Sequence, residues 1–305
     1  MATDTERSNM KLALRKARLI VHLLHGMWTV ATRFPRATAA QREALNLAWS
    51  LKMLRLCGMR LVVHNDSARL DAGALVVANH ISWIDIYVIN AWRPTPFVSK
   101  AEIRQWPVVG WLAQQLGTVF IQREKRSDAK RIMHELSDRL SAGELMCVFP
   151  EGTTSDGLTL LPFHANMFQA AVSAGSPVQP LCLMYEDAQG RQSTAPAYIG
   201  ELSLGESLDA LLRGGPLTAH VYVGEALAPG ADRRSLAAQA EQMIGAALRR
   251  LQGESMGMGA AAPLESAPVA RASAAEAGRS QPSQDIQDAQ AGTLIDGVDQ
   301  QGRSA

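Results

Sequence analysis

Long apolar runs are missing from this sequence. Its 305 residues are 47% apolar, ample for a sizeable core. Yet the uncharged stretch from Leu19 to Thr32 is only about 14 residues, short of the ~20 that cross a bilayer. Cysteine is scarce as well. Cys57, Cys147 and Cys182 stand far apart without metal-ligand spacing, and two of them sit inside apolar strand-like runs. Buried, reduced thiols are expected, which suits a cytoplasmic setting. No nucleophile elbow of the Gly-x-Ser-x-Gly kind occurs, no His or Cys cluster is spaced for a metal, and there is no internal repeat. No cofactor and no metal are expected, and no nucleic-acid partner.

The net charge of +1 hides an uneven distribution. Residues 1–60 hold eleven Lys or Arg against three acids, a net of +8, whereas residues 253–305 hold three arginines against seven acids, a net of −4. The basic front end falls on a helix-forming stretch, Met10 to about Phe34, in which Lys11, Arg15, Lys16 and Arg18 precede the apolar run Leu19 to Trp28. Too short to span and rich in cations, this segment fits a helix lying in a membrane interface. Packing on the protein's own core is the alternative. No small-residue cleavage site follows clearly before Phe34, which disfavours a secretory signal. A second helical pattern, Ala39 to about Cys57, sets Leu45, Leu47, Ala48, Leu51, Leu54 and Leu56 on an apolar side and stops at Gly58. After Leu251 the composition turns to Gly, Ala, Ser, Pro and Gln, which cannot bury enough surface to offset the entropy of ordering. The expected organisation is membrane-associating helices over 1–58, an α/β domain over 59–252 and a disordered acidic tail over 253–305.

Strand patterns come at Leu61 to His64, Ala74 to Ala78, Pro96 to Ser99, Thr118 to Gln122, Leu145 to Phe149, Val178 to Tyr185, Ala197 to Ile199 and His220 to Gly224. Helical patterns fill the gaps at Trp83 to Trp92, Val109 to Leu116, Asp128 to Leu140, Asn166 to Ala174 and Leu236 to Leu251. This alternation predicts an α/β fold with a largely parallel or mixed central sheet flanked by helices, preceded by the two N-terminal amphipathic helices.

One stretch organises the chemistry: Asn79-His80-Ile81-Ser82-Trp83-Ile84-Asp85, which follows a buried-strand pattern. Open α/β sheets place their sites at such strand ends. On one regular helix, five residues turn two side chains about 140° apart. His80 therefore belongs in the turn before the helix and Asp85 in its first turn. There the acid can accept a hydrogen bond from one imidazole nitrogen, which fixes the tautomer and leaves the other as a base. Ser82 followed three residues later by Asp85 also fits a capping box, with Ser82 as N-cap and Asp85 merely favouring the helix start. Three further stretches sit at strand-to-loop junctions. Gly117-Thr118-Val119-Phe120-Ile121-Gln122-Arg123 ends in an arginine whose fork of donors suits a phosphate. Phe149-Pro150-Glu151-Gly152-Thr153 puts glycine and hydroxyls where an anion or ordered water could bind. The third is Val178-Gln179-Pro180.

In this order and spacing the four blocks resemble those of the glycerolipid acyltransferase superfamily typified by 1-acylglycerol-3-phosphate acyltransferase. The resemblance spans about residues 79–180. It implies that His80 is the general base and Asp85 its partner, activating an acceptor hydroxyl for attack on an acyl thioester. Arg123 matches the arginine that binds the acceptor's phosphate, and Glu151, Gly152 and Thr153 match the acceptor-binding block. Val178 and Pro180 match the block nearest the acyl donor. Lys100 resembles a lysine often found between the first two blocks, facing the site. The implied partners are acyl-CoA or acyl carrier protein, a lysophospholipid and a membrane surface at the cytoplasmic face of the cell membrane. The foremost acceptor is 1-acylglycerol 3-phosphate, giving phosphatidic acid. A lyso-aminolipid such as lyso-ornithine lipid is the alternative within the same chemistry, and a non-catalytic membrane-surface protein the alternative outside it.

Overall fold

The computed structural model describes residues 4–71, 73–122 and 126–257. Two helices come first, α1 (Asp4–Thr32) and α2 (Ala39–Leu56), joined by a short 3-10 turn at Phe34–Arg36. Thr38 starts α2 with a capping box: its hydroxyl accepts from the Gln41 backbone, and the Gln41 side chain accepts from the Thr38 N–H. The first helix is longer than its apolar run because charged helix formers extend it back to Asp4. One side of α1 is built into the protein. Leu19, His22, Thr29 and Val30 are buried. His22 Nε2 meets the Trp49 carbonyl at 3.0 Å, and Trp49 Nε1 donates to the His22 carbonyl at 3.2 Å. Gly26 allows that approach, since a Cβ there would sit 2.6 Å from Trp49 Nε1. The other side leaves Met10, Leu14, Ile20, Val21, Leu24 and Trp28 exposed. No helix of the described residues is long and apolar enough to cross a membrane.

The remaining elements, in chain order, are β1 (Met59–His64), β2 (Leu75–Ala78), α3 (Asp85–Trp92), β3 (Val98–Lys100), α4 (Val109–Gln115), β4 (Val119–Ile121), α5 (Arg126–Ser141), β5 (Met146–Val148), α6 (Gln169–Ala174), β6 (Val178–Asp187), α7 (Leu204–Arg213), β7 (Leu217–Val223) and α8 (Arg233–Gly257). Five strands form a sheet in the order β1-β7-β6-β2-β5, parallel except for the β6–β7 pair. A parallel β3–β4 pair continues it past β5, where Phe97 bridges to Cys147 and the Cys147 N–H donates to the Pro96 carbonyl at 2.8 Å. The alternation of side chains along β2 feeds two cores. Val76 and Ala78 join α1, α2, α3 and α7 on one face; Leu75 and Val77 join α5, α6 and α8 on the other. Such a strand, covered on both faces, reads as a continuous apolar run.

One expectation about elements is corrected. Ala197 to Ile199 forms no strand. It is a strap whose backbone bonds go to other loops, with the Tyr198 N–H donating to the Ile81 carbonyl at 2.9 Å. Helix α7 went unread in the sequence, although Ser203 and Glu206 form a reciprocal capping box at its start. The third difference is a boundary: α8 runs to Gly257, past the composition change. The expectation for residues 258–305 lies outside the described residues.

The last turn of α8 is anchored, because Ser255 Oγ donates to the Gly190 carbonyl and Glu254 pairs with Arg250. A chain ending at Gly257 should therefore unfold at the same temperature as the full chain. One ending at Gln252 should lose about 1 kcal/mol and melt about 2–4 °C lower. Equal midpoints for the two truncations would show that this turn contributes nothing.

Candidate active site

The site exists because β6 outlasts β2. The shorter strand stops at Ala78, opposite Leu181, while β6 continues to Asp187. Into the space left beside β6 folds the turn that leads to α3. Asn79 extends the pairing with its side chain: Nδ2 donates to the Leu183 carbonyl at 3.0 Å and Oδ1 accepts from the Leu183 N–H at 2.7 Å. Two residues further along the same face of β6, the Tyr185 hydroxyl donates to Asp85 Oδ1 at 2.5 Å.

Asp85 opens α3 and is completely buried. Its Oδ2 accepts from His80 Nδ1 at 2.8 Å, from the Ile81 N–H at 2.7 Å and from the Ser82 N–H at 2.9 Å. With Tyr185 this makes four donors on one carboxylate, the kind of compensation a buried charge requires. Ser82 is not the N-cap. That position belongs to Ile84, which has no side-chain cap, and Ser82 Oγ reaches the Ile84 N–H only at 3.5 Å. The acid itself collects the N–H groups of the turn, so the two readings of the motif merge into one structure.

His80 is fixed on every side but one. Its ring lies flat on Phe149, with centroids 3.8 Å apart and planes inclined by 8°. Its N–H donates to Glu151 Oε1 at 2.8 Å, and its carbonyl accepts from the Ser155 N–H at 2.8 Å. With Nδ1 committed to Asp85, Nε2 is the nitrogen available to the cavity that His80 borders. That cavity holds about 300 Å³ and is walled chiefly by apolar groups, among them Trp83, Tyr87, Phe97, Leu112, Leu116 and Phe149. Lys100, Gly152 and Thr153 border it too.

The structure thus brings His80, Lys100, Gly152 and Thr153 to one cavity, with Asp85 directly behind His80. Arg123 lies outside the described residues. Glu151 is turned away from the cavity: buried, it spends Oε1 on the His80 N–H and Oε2 on the Leu161 N–H at 3.0 Å. Burial pushes its carboxyl up to about 7, against the pull of those two N–H groups and with a further push from Asp85 and Glu241. Val178 and Pro180 sit within the sheet, opposite Leu75 and Val77, and do not border the cavity. Asn79, Phe149 and Tyr185 carry structural duties that no motif reading assigned. The signal for Tyr185 was faint, namely a tyrosine at the end of the apolar run Leu181 to Met184, whose hydroxyl needs a partner once buried. Among the described residues no three His, Cys, Asp or Glu side chains are grouped to hold a metal ion.

The acyltransferase family model matches residues 60–184. A lyso-ornithine lipid O-acyltransferase of Pseudomonas aeruginosa is 36% identical over 248 residues, covering 79% of this chain and 95% of that protein. A 1-acyl-sn-glycerol-3-phosphate acyltransferase of Neisseria gonorrhoeae is 44% identical over 126 residues, covering 41% of this chain and 49% of that protein. In fold alone, the crystal structure of the 1-acyl-sn-glycerophosphate acyltransferase PlsC from Thermotoga maritima is similar, with a TM-score of 0.58 and 22% identity over 78% of this chain and 98% of that one.

The Glu151 environment makes stability depend on pH in a defined direction. A carboxyl raised from 4.5 to about 7 on folding keeps its proton longer in the native state, so stability falls as pH rises through that window. The loss is about 3 kcal/mol. Urea unfolding of wild type and Glu151→Gln across the window should show wild type losing its relative advantage by an amount of that order. A constant difference would mean that Glu151 is ionised throughout.

Proposed function

We propose that this chain, which belongs to the acyltransferase family, acylates the free hydroxyl of a lyso-ornithine lipid from an acyl thioester, acyl-CoA or acyl carrier protein. The observation that carries the chemistry is the His80 ring, tied to a buried carboxylate through Nδ1 and open to an apolar cavity through Nε2. A hydroxyl is far too weak an acid to ionise unaided, so it needs a base as it attacks. Nε2 takes the proton as the hydroxyl oxygen bonds to the thioester carbonyl carbon. The C–S bond then breaks, and the departing thiolate takes the proton back from the imidazolium. Asp85 holds the ring and stabilises its charged form while the proton is there. Catalysis of this kind commonly supplies about 10²–10⁴-fold.

The choice of acceptor rests on how much of each relative is matched. Of the relatives named for lyso-ornithine lipid, those of Pseudomonas aeruginosa and Rhizobium meliloti align over 95% and 75% of their own length, and that of Rhodobacter capsulatus over 43%. The Neisseria relatives named for 1-acyl-sn-glycerol 3-phosphate align over about half of theirs. An ornithine headgroup presents a carboxylate, which a guanidinium fork or an ammonium suits as well as it suits a phosphate. Arg123 and Lys100 are assigned to that headgroup, with Gly152 and Thr153 beside it. The 44% identity of the shorter alignment keeps 1-acylglycerol 3-phosphate, giving phosphatidic acid, as the second reading.

The acceptor resides in a bilayer, and extracting it would cost about 0.8 kcal/mol per CH₂. The exposed apolar stripe of α1, Met10, Leu14, Val21, Leu24 and Trp28, is assigned to the cytoplasmic face of the cell membrane. Of the four cations near it, two serve the protein instead: Arg15 Nη1 donates to the Leu212 carbonyl at 2.7 Å, and Lys16 pairs with Asp209. Lys11 and Arg18 remain for anionic lipid, at about 1 kcal/mol each.

Two experiments test these readings. Folded His80→Ala should lose acyl transfer by at least about 10²-fold, and wild type assayed against a lysolipid panel should favour lyso-ornithine lipid. Wild-type turnover by His80→Ala would remove the mechanism, and a preference for 1-acylglycerol 3-phosphate would reverse the acceptor assignment. In sedimentation with anionic vesicles, Val21→Glu/Leu24→Glu should bind more than about tenfold more weakly with an unchanged melting temperature, since each buried side chain contributes roughly 1.5–3 kcal/mol. Equal binding would show that this face does not meet lipid.

A further inference from the structure

We propose that Tyr185 is the positioning residue of this site: its hydroxyl fixes Asp85, and through Asp85 it sets the orientation and basicity of His80. The inference rests on the reading of His80 as the base. The geometry that supports it is non-local. Tyr185 stands on β6 beyond the end of β2, 100 residues from Asp85 in the chain, and it is the sole donor recorded to Oδ1 among the described residues, the other three all going to Oδ2. The ring is 1% exposed and carries the same face of β6 as Leu181 and Leu183, so its direction is set by the packed core. Burial and the neighbouring Asp85 charge hold the phenol far above its ordinary range, so it stays a donor wherever the enzyme can work.

Each oxygen of Asp85 therefore has its own task. Oδ2 faces the imidazole and the turn, while Oδ1 is held from behind, and a carboxylate pinned at both oxygens cannot swing out of the imidazole plane. The Tyr185 hydrogen bond also draws charge toward Oδ1 and away from His80. Without it, Asp85 would attract the imidazolium proton more strongly, and His80 would give that proton up at higher pH. The base form would then be depleted from the acid side.

Among the described residues, the other titratable groups around the pair are Cys147 on β5, Glu151 in the following loop, and Lys100, Tyr87 and Tyr198 at the cavity. Burial holds the Cys147 thiol well above its usual range. Glu151 titrates at about 7 and can contribute its own inflection. Comparing the profiles with and without the Tyr185 replacement in a Glu151→Gln background removes that inflection, so their difference isolates Tyr185.

The test is the pH dependence of kcat and KM for the full chain with a lysolipid acceptor. Tyr185→Phe should lower kcat about tenfold, the equivalent of one hydrogen bond to an ion, leave KM unchanged and move the acid limb to higher pH. Placing 3-fluorotyrosine at position 185, a stronger donor of nearly the same size, should move that limb to lower pH, and it keeps the proposal testable should Tyr185→Phe fail to fold. Tyr222→Phe, on the opposite face of the sheet beside His64 and Arg250, serves as the control and should change neither quantity. An acid limb unmoved by either Tyr185 replacement, or moved in the opposite sense, overturns the proposal. If His80→Ala retained turnover the base reading itself would fail; if His80→Ala is inactive while Tyr185→Phe matches wild type, only the role of Tyr185 is lost.

Discussion

A carboxylate with no access to water is the constraint around which this protein is arranged. Removing such a group from water costs several kcal/mol unless its oxygens are fully occupied. Asp85 meets that demand with four donors drawn from two distant parts of the chain. Three come from the turn immediately before it, so the turn must curl back over the start of α3. The fourth comes from β6, so that strand must run past β2 by several residues. Asn79 bridges the two requirements by pairing its amide with Leu183, which lets a turn occupy a place where a strand would otherwise continue. Glu151, Ser155 and Phe149 then fix the backbone and ring of His80 from the β5 side. The single unengaged direction of the imidazole is the one that borders the cavity.

Much of this was legible in the chain because its determinants are local. The five-residue spacing of His80 and Asp85 dictates a turn followed by a helix start. The apolar runs of β2, β5 and β6 announce strands covered on both faces, and the alternation with helical patterns gives an α/β sheet. What stayed hidden depends on contacts between remote segments. The donor from Tyr185 to Asp85 spans 100 residues, and nothing beside Tyr185 in the sequence announces it. Glu151 sits in a block that the resemblance ties to the acceptor, yet both its oxygens are turned to backbone N–H groups, a choice made by the packing of two loops. The strap from Ala197 to Ile199 has strand-like composition but hydrogen-bonds to the site loops instead of to a neighbouring strand. Helix α7 was a different kind of miss, since its capping box lay in plain view at Ser203 and Glu206.

The first helix has one side packed into the protein and one exposed apolar side. Its inner side is tied to α2 through His22, Gly26 and Trp49, and to α7 through Arg15 and Lys16. Its outer side leaves large apolar residues in the open, where water alone would give them no benefit. The sequence offered interface helix and packed helix as alternatives, and the structure accommodates both at once. The proposed contact of that outer side with lipid would be coupled to the body that holds Asp85, because α2 and α3 share one core with α1 and Asp85 opens α3.

The claim at the centre of this account is that Asp85 holds His80 with Nδ1 protonated and Nε2 bare. Nitrogen-15 NMR of the protein labelled in its histidine rings measures this directly. The His80 resonances, assigned by their absence in His80→Ala, should show a protonated Nδ1 and an unprotonated Nε2. The opposite tautomer, with the proton on Nε2, would leave no base facing the cavity and would contradict the account.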